Sequence, residues 1–127
     1  MSNAEPRFDI DLPYGQAGEG TVAAFLRGRH EVKRKRRADL EFYFETEANN
    51  GRRGWDYSGL NVTEAHHIDF VIADTGIIVA FPTQTVAAAI TAGLGRSVSE
   101  TDGSCPTHGR LIGLADFVRW AQRRSSP

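Results

Sequence analysis

The tripeptide Glu31-Val32-Lys33 sets a carboxylate and an ammonium two residues apart. On a β-strand that spacing puts both on one face, and the same face continues through Lys35 and Arg37. A second strand-like run places Glu41, Tyr43, Glu45 and Glu47 on one face and Phe42 and Phe44 on the other. If runs 31–37 and 40–48 close into a hairpin, Arg37 opposes Glu41, Lys33 opposes Glu45 and Glu31 opposes Glu47, a basic row against an acidic one. Glu19 supplies a third carboxylate. It precedes Val22, Ala23 and Leu26 by three, four and seven positions, the start of the helical stripe expected to face the sheet. The helix dipole favours an anion there by only ~0.3–1 kcal/mol, against several kcal/mol for burying an unpartnered ion. A metal ion or a lysine is therefore expected beside it.

Three carboxylates and a lysine at a sheet edge suit metal-assisted phosphodiester hydrolysis. Mg²⁺ takes oxygen ligands from one or two carboxylates and keeps several waters, one of which becomes the nucleophile. Lys33 would orient that water or stabilise charge on the phosphate. Arg34, Lys35, Arg36 and Arg37, with Arg52 and Arg53 in a later glycine-rich loop, would hold the anionic backbone. A hairpin of alternating charge is by itself more often a solvated face whose ion pairs are each worth little. Glu19 on an inward stripe is what that simpler reading leaves unexplained.

Other candidate ligands carry less. His66 and His67 are adjacent and so point to different sides of their element, and Cys105-Pro-Thr-His108 lacks the paired knuckle of a zinc motif. They are taken as surface or loop positions. Trp55 and Tyr57 either stack on nucleic-acid bases or anchor their loop to the core.

The elements that must position these residues follow from periodicity. Residues 15–28 form a first helix stopped at Gly28, the two charged strands follow, and 48–61 is a long loop. Thr63 caps a short helical turn. Apolar runs from Ile68 and from Ile77 give the sheet centre, and Pro82-Thr83 starts a helix with Val86, Ile90 and Leu94 on one face, ended by Gly93 and Gly95. A polar loop over 95–108, a strand from Arg110 and a terminal helix with Leu114, Phe117, Val118 and Ala121 inward complete the chain. The expected fold is α+β, a single mixed sheet flanked by helices, in one domain over 1–127 with residues 1–7 a flexible N-terminus.

Composition sets the outer limits. The 127 residues are 40% hydrophobic and 24% charged, the profile of a compact domain able to bury a core, and the formal charge is -1. Whole-chain electrostatics therefore argue neither for nor against nucleic acid, yet RGRHEVKRKRR over 27–37 holds seven Lys or Arg against one Glu. A single Cys suits a reducing cytosol, and no apolar run approaches the ~20 residues of a membrane helix, so a soluble cytoplasmic protein is expected.

The phrases GQAGE (15–19), HEVK (30–33), FYFETE (42–47), SGL (58–60) and TEA (63–65) together resemble the short PD-(D/E)XK-type nucleases of phages and prophages. In that resemblance Glu31-Val32-Lys33 looks like the (D/E)XK element, Glu19 like the helix acid, and Glu45 (with Glu47 as an alternative) like an acid on the adjoining strand. It implies a restriction-endonuclease-like fold and Mg²⁺- or Mn²⁺-dependent cleavage of nucleic acid, with DNA the expected polymer. Two other readings stay open: a catalytically inactive nucleic-acid-binding module on the same fold, and an accessory factor whose basic strand binds an acidic protein. A homodimer is compatible with each.

Overall fold

The computed structural model describes residues 5–51, 54–101 and 105–125, the side chains of 5–13 excepted. Arg52 and Arg53, and residues 1–4 of the expected flexible N-terminus, lie outside the described residues. The order is α1 (Glu5–Arg27), β1 (His30–Lys35), β2 (Glu41–Asn49), β3 (Trp55–Tyr57), a 3-10 turn (Gly59–Asn61), β4 (His67–Ile72), β5 (Ile78–Pro82), α2 (Thr83–Thr91), β6 (Arg96–Glu100), β7 (Thr107–Gly113) and α3 (Leu114–Ser125). This is an α+β fold, but the expected single sheet is two. β1, β4 and β5 form one, with β1 parallel to β4, and β3, β2, β7 and β6 form an antiparallel second.

The expected hairpin is therefore absent: β1 pairs with β4, and β2 lies between β3 and β7. The pairings of Lys33 with Glu45, Glu31 with Glu47 and Arg37 with Glu41 do not form. Magnitudes explain the outcome. Cross-strand ion pairs contribute a few tenths of a kcal/mol to ~1 kcal/mol each, whereas burying a Phe contributes ~1.5–3 kcal/mol. Moving β2 into the second sheet seals Phe42 and Phe44, 1% and 2% exposed, against Phe70 and Phe81 of the first. Val86 and Ala89 of α2, Ile112 of β7 and Phe117 of α3 close the core.

α1 also departs from expectation. It starts at Glu5 rather than Gly15, and its presumed inward residues Val22 and Leu26 are 55% and 71% exposed. Between them and Gly15 stand mainly Gly and Ala, which offer little area to bury. Phe25 makes the attachment, its ring edge-on to His30 at 4.4 Å and to His67 at 4.9 Å. The segment after Thr63 does not become helical; its hydroxyl accepts from the Ala65 N–H at 3.2 Å in a local turn. Each polar loop hides a strand, β3 in 48–61 and β6 in 95–108. In α3 Phe117 is buried but Val118 is exposed, and Trp120 packs on the core instead.

Candidate functional site

The parallel register of β1 on β4 sets Glu31 beside Ile68, Lys33 beside Phe70 and Lys35 beside Ile72. Those three β4 residues are core. The charged row of β1 thus shares the interior face of its sheet, while apolar Val32 turns outward at 66% exposure. This inverts the usual pattern of a half-buried strand. Only an edge position makes it tolerable, because the side chains of Glu31 and Lys33 keep 31% and 36% of their surface.

Glu31 is held from two sides. Lys33 Nζ lies 3.1 Å from its Oε2, and the Thr63 hydroxyl donates to the carboxylate. The Thr63 hydrogen bond is the main cause that holds the Glu31 carboxyl below the ordinary carboxylate range; partial burial opposes it and Lys33 adds to it. Thr63 itself hangs from the 3-10 turn, its N–H donating to Gly59 O at 3.0 Å.

The other end of that turn grips β2. Ser58 N–H and the Asn61 side-chain amide both donate to Thr46 O at 3.0 Å. Thr46 is the extra residue of a bulge, since Glu45 pairs with Gly109 and Glu47 with His108. Gly59 sits flush on the strand at φ +51°, where a Cβ would lie 2.4 Å from Glu45 O. One short turn therefore fixes the backbone at Glu45 and the carboxylate of Glu31.

Beside Lys33 opens a groove of about 650 Å³ lined by residues of both sheets. Its walls carry Lys33, Arg34, Lys35, Arg36, Arg37 and Arg96 against Asp39, Glu41 and Glu100, a twofold excess of cations. Besides Lys33, which meets Glu31, two of these cations are engaged locally. Lys35 bonds Asp39 at 2.6 Å and lies over the Phe42 ring, and Arg34 reaches Asp74 at 3.2 Å. Lys35, 11% exposed in its side chain, acts as a strut at the β1–β2 connection; its hydrogen bond is the leading reason Asp39 stays below the usual carboxylate range. Tyr43 also faces the groove. Burial pushes its phenol up, so it remains a neutral partner of Thr107 at 2.7 Å.

A second polar cluster joins α1 to the sheet. His30 Nε2 donates to Phe25 O at 2.6 Å, and its Nδ1 lies 2.8 Å from Asp69 Oδ2. Asp69 is 8% exposed, and the His67 ring stacks on His30 at 5.3 Å.

The structure brings Lys33, Arg34, Lys35, Arg36 and Arg37 to one groove, sets Glu31 beside it against Lys33, and holds the backbone at Glu45 through the shared turn. Glu19 lies on an exposed stretch of α1, and Glu47 is half-buried on β2. Among the described residues, no three His, Cys, Asp or Glu side chains lie close enough to hold a metal ion. His66 Nδ1 accepts from the Arg29 N–H at 2.9 Å, and His108 stacks on Trp55 at 3.7 Å while bonding Ser99 at 2.8 Å. Trp55 thus finds a protein partner. Comparison with known proteins finds no matching family model, curated protein or solved structure. The likeness to PD-(D/E)XK nucleases rests on this chain's own residues.

Three contributors escape a reading of the sequence. Thr63 looks like a helix cap, and only the close approach of the turn shows it serving Glu31. Gly59 carries a faint signal in Ser58-Gly59-Leu60, a glycine ahead of an apolar residue. Arg96 comes from a strand that a serine-rich segment disguises.

Proposed function

We propose that the chain is a divalent-metal-dependent nuclease of the PD-(D/E)XK kind, with a restriction-endonuclease-like fold and DNA as its polymer. The observation that carries this reading is the inward Glu31–Lys33 pair at the mouth of a basic groove. Placing two charges on an interior face costs several kcal/mol unless they are well partnered, and a solvated ion pair would sit more cheaply on the Val32 face.

The donor set fits Mg²⁺ or Mn²⁺ at one point. Glu31 offers a hard carboxylate on a fixed strand, and Mg²⁺ needs only one or two carboxylates besides water and phosphate oxygens. Glu45, held by the turn, is the candidate for the second; Glu19 does not fit, standing exposed on α1. The bound ion would supply an acidified water and charge neutralisation at the phosphate. Thr63 and Lys33 keep Glu31 ionised and therefore a competent ligand at neutral pH. Lys33, once drawn from Glu31 toward the substrate, donates to a non-bridging oxygen or orients the attacking water. Arg36, Arg37 and Arg96 hold the flanking phosphates. Labelled single- and double-stranded DNA and RNA incubated with Mg²⁺ or Mn²⁺, with and without EDTA, test the reading: DNA should be cut, and only with metal, while cleavage of RNA alone would overturn the choice of polymer. No cleavage across that panel overturns it.

The lack of a three-carboxylate cluster among the described residues favours one alternative, a module that binds nucleic acid through the same groove without cutting it. Its mark would be salt-sensitive binding that Glu31→Gln and EDTA leave intact.

A further inference from the structure

β1 is the outermost strand of its sheet. β4 occupies one side, and among the described residues no strand pairs with the other. Arg29 O accepts from His67 N–H and Lys35 O from Ala73 N–H, so the odd-numbered residues turn their backbone groups to β4. By alternation, those of His30, Val32 and Arg34 face the open edge. On that edge strand the apolar side chain of Val32 is exposed. A backbone edge with donors, acceptors and apolar surface is a template for another strand.

We propose that a second copy of this chain pairs its β1 antiparallel with this one across a two-fold axis at Val32, so that Lys33 of each copy lies against Glu31 of the other. This inference stands independently of the nuclease reading. The choice of partner comes from charge. Backbone phasing allows only registers that match even-numbered residues with even-numbered ones. Shifting the axis to Glu31 opposes two glutamates, and shifting it to Lys33 opposes two lysines. With the axis at Val32, both inner-face contacts join Glu31 to the partner's Lys33, in the non-hydrogen-bonded position where side chains approach most closely, Cα atoms about 4.5 Å apart. Val32 meets the partner's Val32, and His30 meets the partner's Arg34, each exchanging backbone hydrogen bonds. At the ends Arg29 would oppose the partner's Lys35, but these cations are already answered, Arg29 by Glu64 at 3.8 Å and Lys35 by Asp39 at 2.6 Å. Of the registers centred on Glu31, Val32 and Lys33, the one at Val32 alone opposes unlike charges, and it pairs more of β1 (His30–Lys35) than a register centred on His30, which would join Glu31 to the partner's Arg29 at the strand's first residues.

The pairing would merge two three-stranded sheets into one, with paired residues on a common face. Both Glu31–Lys33 pairs and both basic grooves would then open to the same side, and each copy would contribute Lys33 to the other's site.

Sedimentation velocity on the full chain tests this. The parent should show the mass of two chains at micromolar to submillimolar concentration. Lys33→Glu alone and Glu31→Lys alone should each sediment as one chain, since each opposes like charges at both inner contacts. Mixing the two variants should restore a two-chain species, because every inner contact is then of opposite charge. Val32→Arg, at a side chain already exposed, should give one chain with an unchanged circular dichroism spectrum. A parent of single-chain mass throughout that range, a single charge variant that dimerises as the parent does, or a mixture that stays monomeric overturns the proposal.

Discussion

Gly59→Ala probes how the 3-10 turn is seated on β2, because two separable costs meet there. The first is conformational: at φ +51° a residue with a Cβ loses ~1–2 kcal/mol. The second is steric. The new Cβ would stand 2.4 Å from Glu45 O and 2.9 Å from Glu45 Cβ, so backbone must move, an overpacking cost of ~1–3 kcal/mol. Together they amount to ~2–5 kcal/mol, a large share of the ~5–15 kcal/mol that holds a domain folded. Gly54 separates the two costs. It too has positive φ, +73°, but beyond its chain neighbours no atom of the described residues lies within 4 Å of its would-be Cβ. Gly54→Ala should cost no more than ~1–2 kcal/mol, and the ~0.4–1 kcal/mol gained by restricting the unfolded chain is common to both variants and cancels in their difference. Urea denaturation followed by circular dichroism, with slopes checked for constancy, measures both. Equal losses at the two glycines would show that the turn does not press on Glu45 and would remove the link between Glu45 and Glu31.

Thr63→Val deletes the chief hydrogen bond to Glu31 while keeping shape, and should cost about 1 kcal/mol at neutral pH, discounted because the site is partly solvated. Glu31 titrates lower in the folded chain than in the unfolded one, so its contribution is full above the ordinary carboxylate range and fades as pH falls through the folded value. The stabilities of parent and variant should therefore converge in acid, and an NMR titration should place the Glu31 carboxyl higher in the variant; an unmoved titration would discount the Thr63 contact. Arg110→Ala should destabilise by ~2–3 kcal/mol, since the guanidinium donates to the carbonyls of Gly93, Leu94 and Gly95, which end α2, and to Ser97 Oγ. Arg110→Lys should recover little of this in thermal melts, because a single ammonium cannot span those acceptors.

Much of the frame is legible in the residues. Apolar runs at Ile68 and Ile77 become β4 and β5, Pro82 and the glycines at 93 and 95 bound α2, and Phe42 and Phe44 point inward while Tyr43 does not. The pairing of strands is less legible. Charge alternation in 31–37 and 41–47 suggests a local hairpin, but local pairing loses to a distant contact when aromatic burial is at stake. β3 and β6 are short edge strands, three and five residues, too short for a periodic signal to separate them from loop. In the site, the Glu31–Lys33 face follows from strand alternation alone. The expected inward placement of Glu19 fails for a different reason: a helical stripe shows which residues share a face, not that the face is covered, and α1 is attached through Phe25.

Single-turnover cleavage of a nucleic-acid substrate that the parent cuts, by folded parent, Lys33→Ala and Glu31→Gln chains at saturating enzyme and Mg²⁺, bears most directly on the Glu31–Lys33 pair. Substrate binding should persist in both variants while the rate falls by ~10²–10³-fold, the scale for losing one group that stabilises transition-state charge. Cleavage by Lys33→Ala at the parent's rate would contradict the assignment and leave the inward pair as a structural feature only.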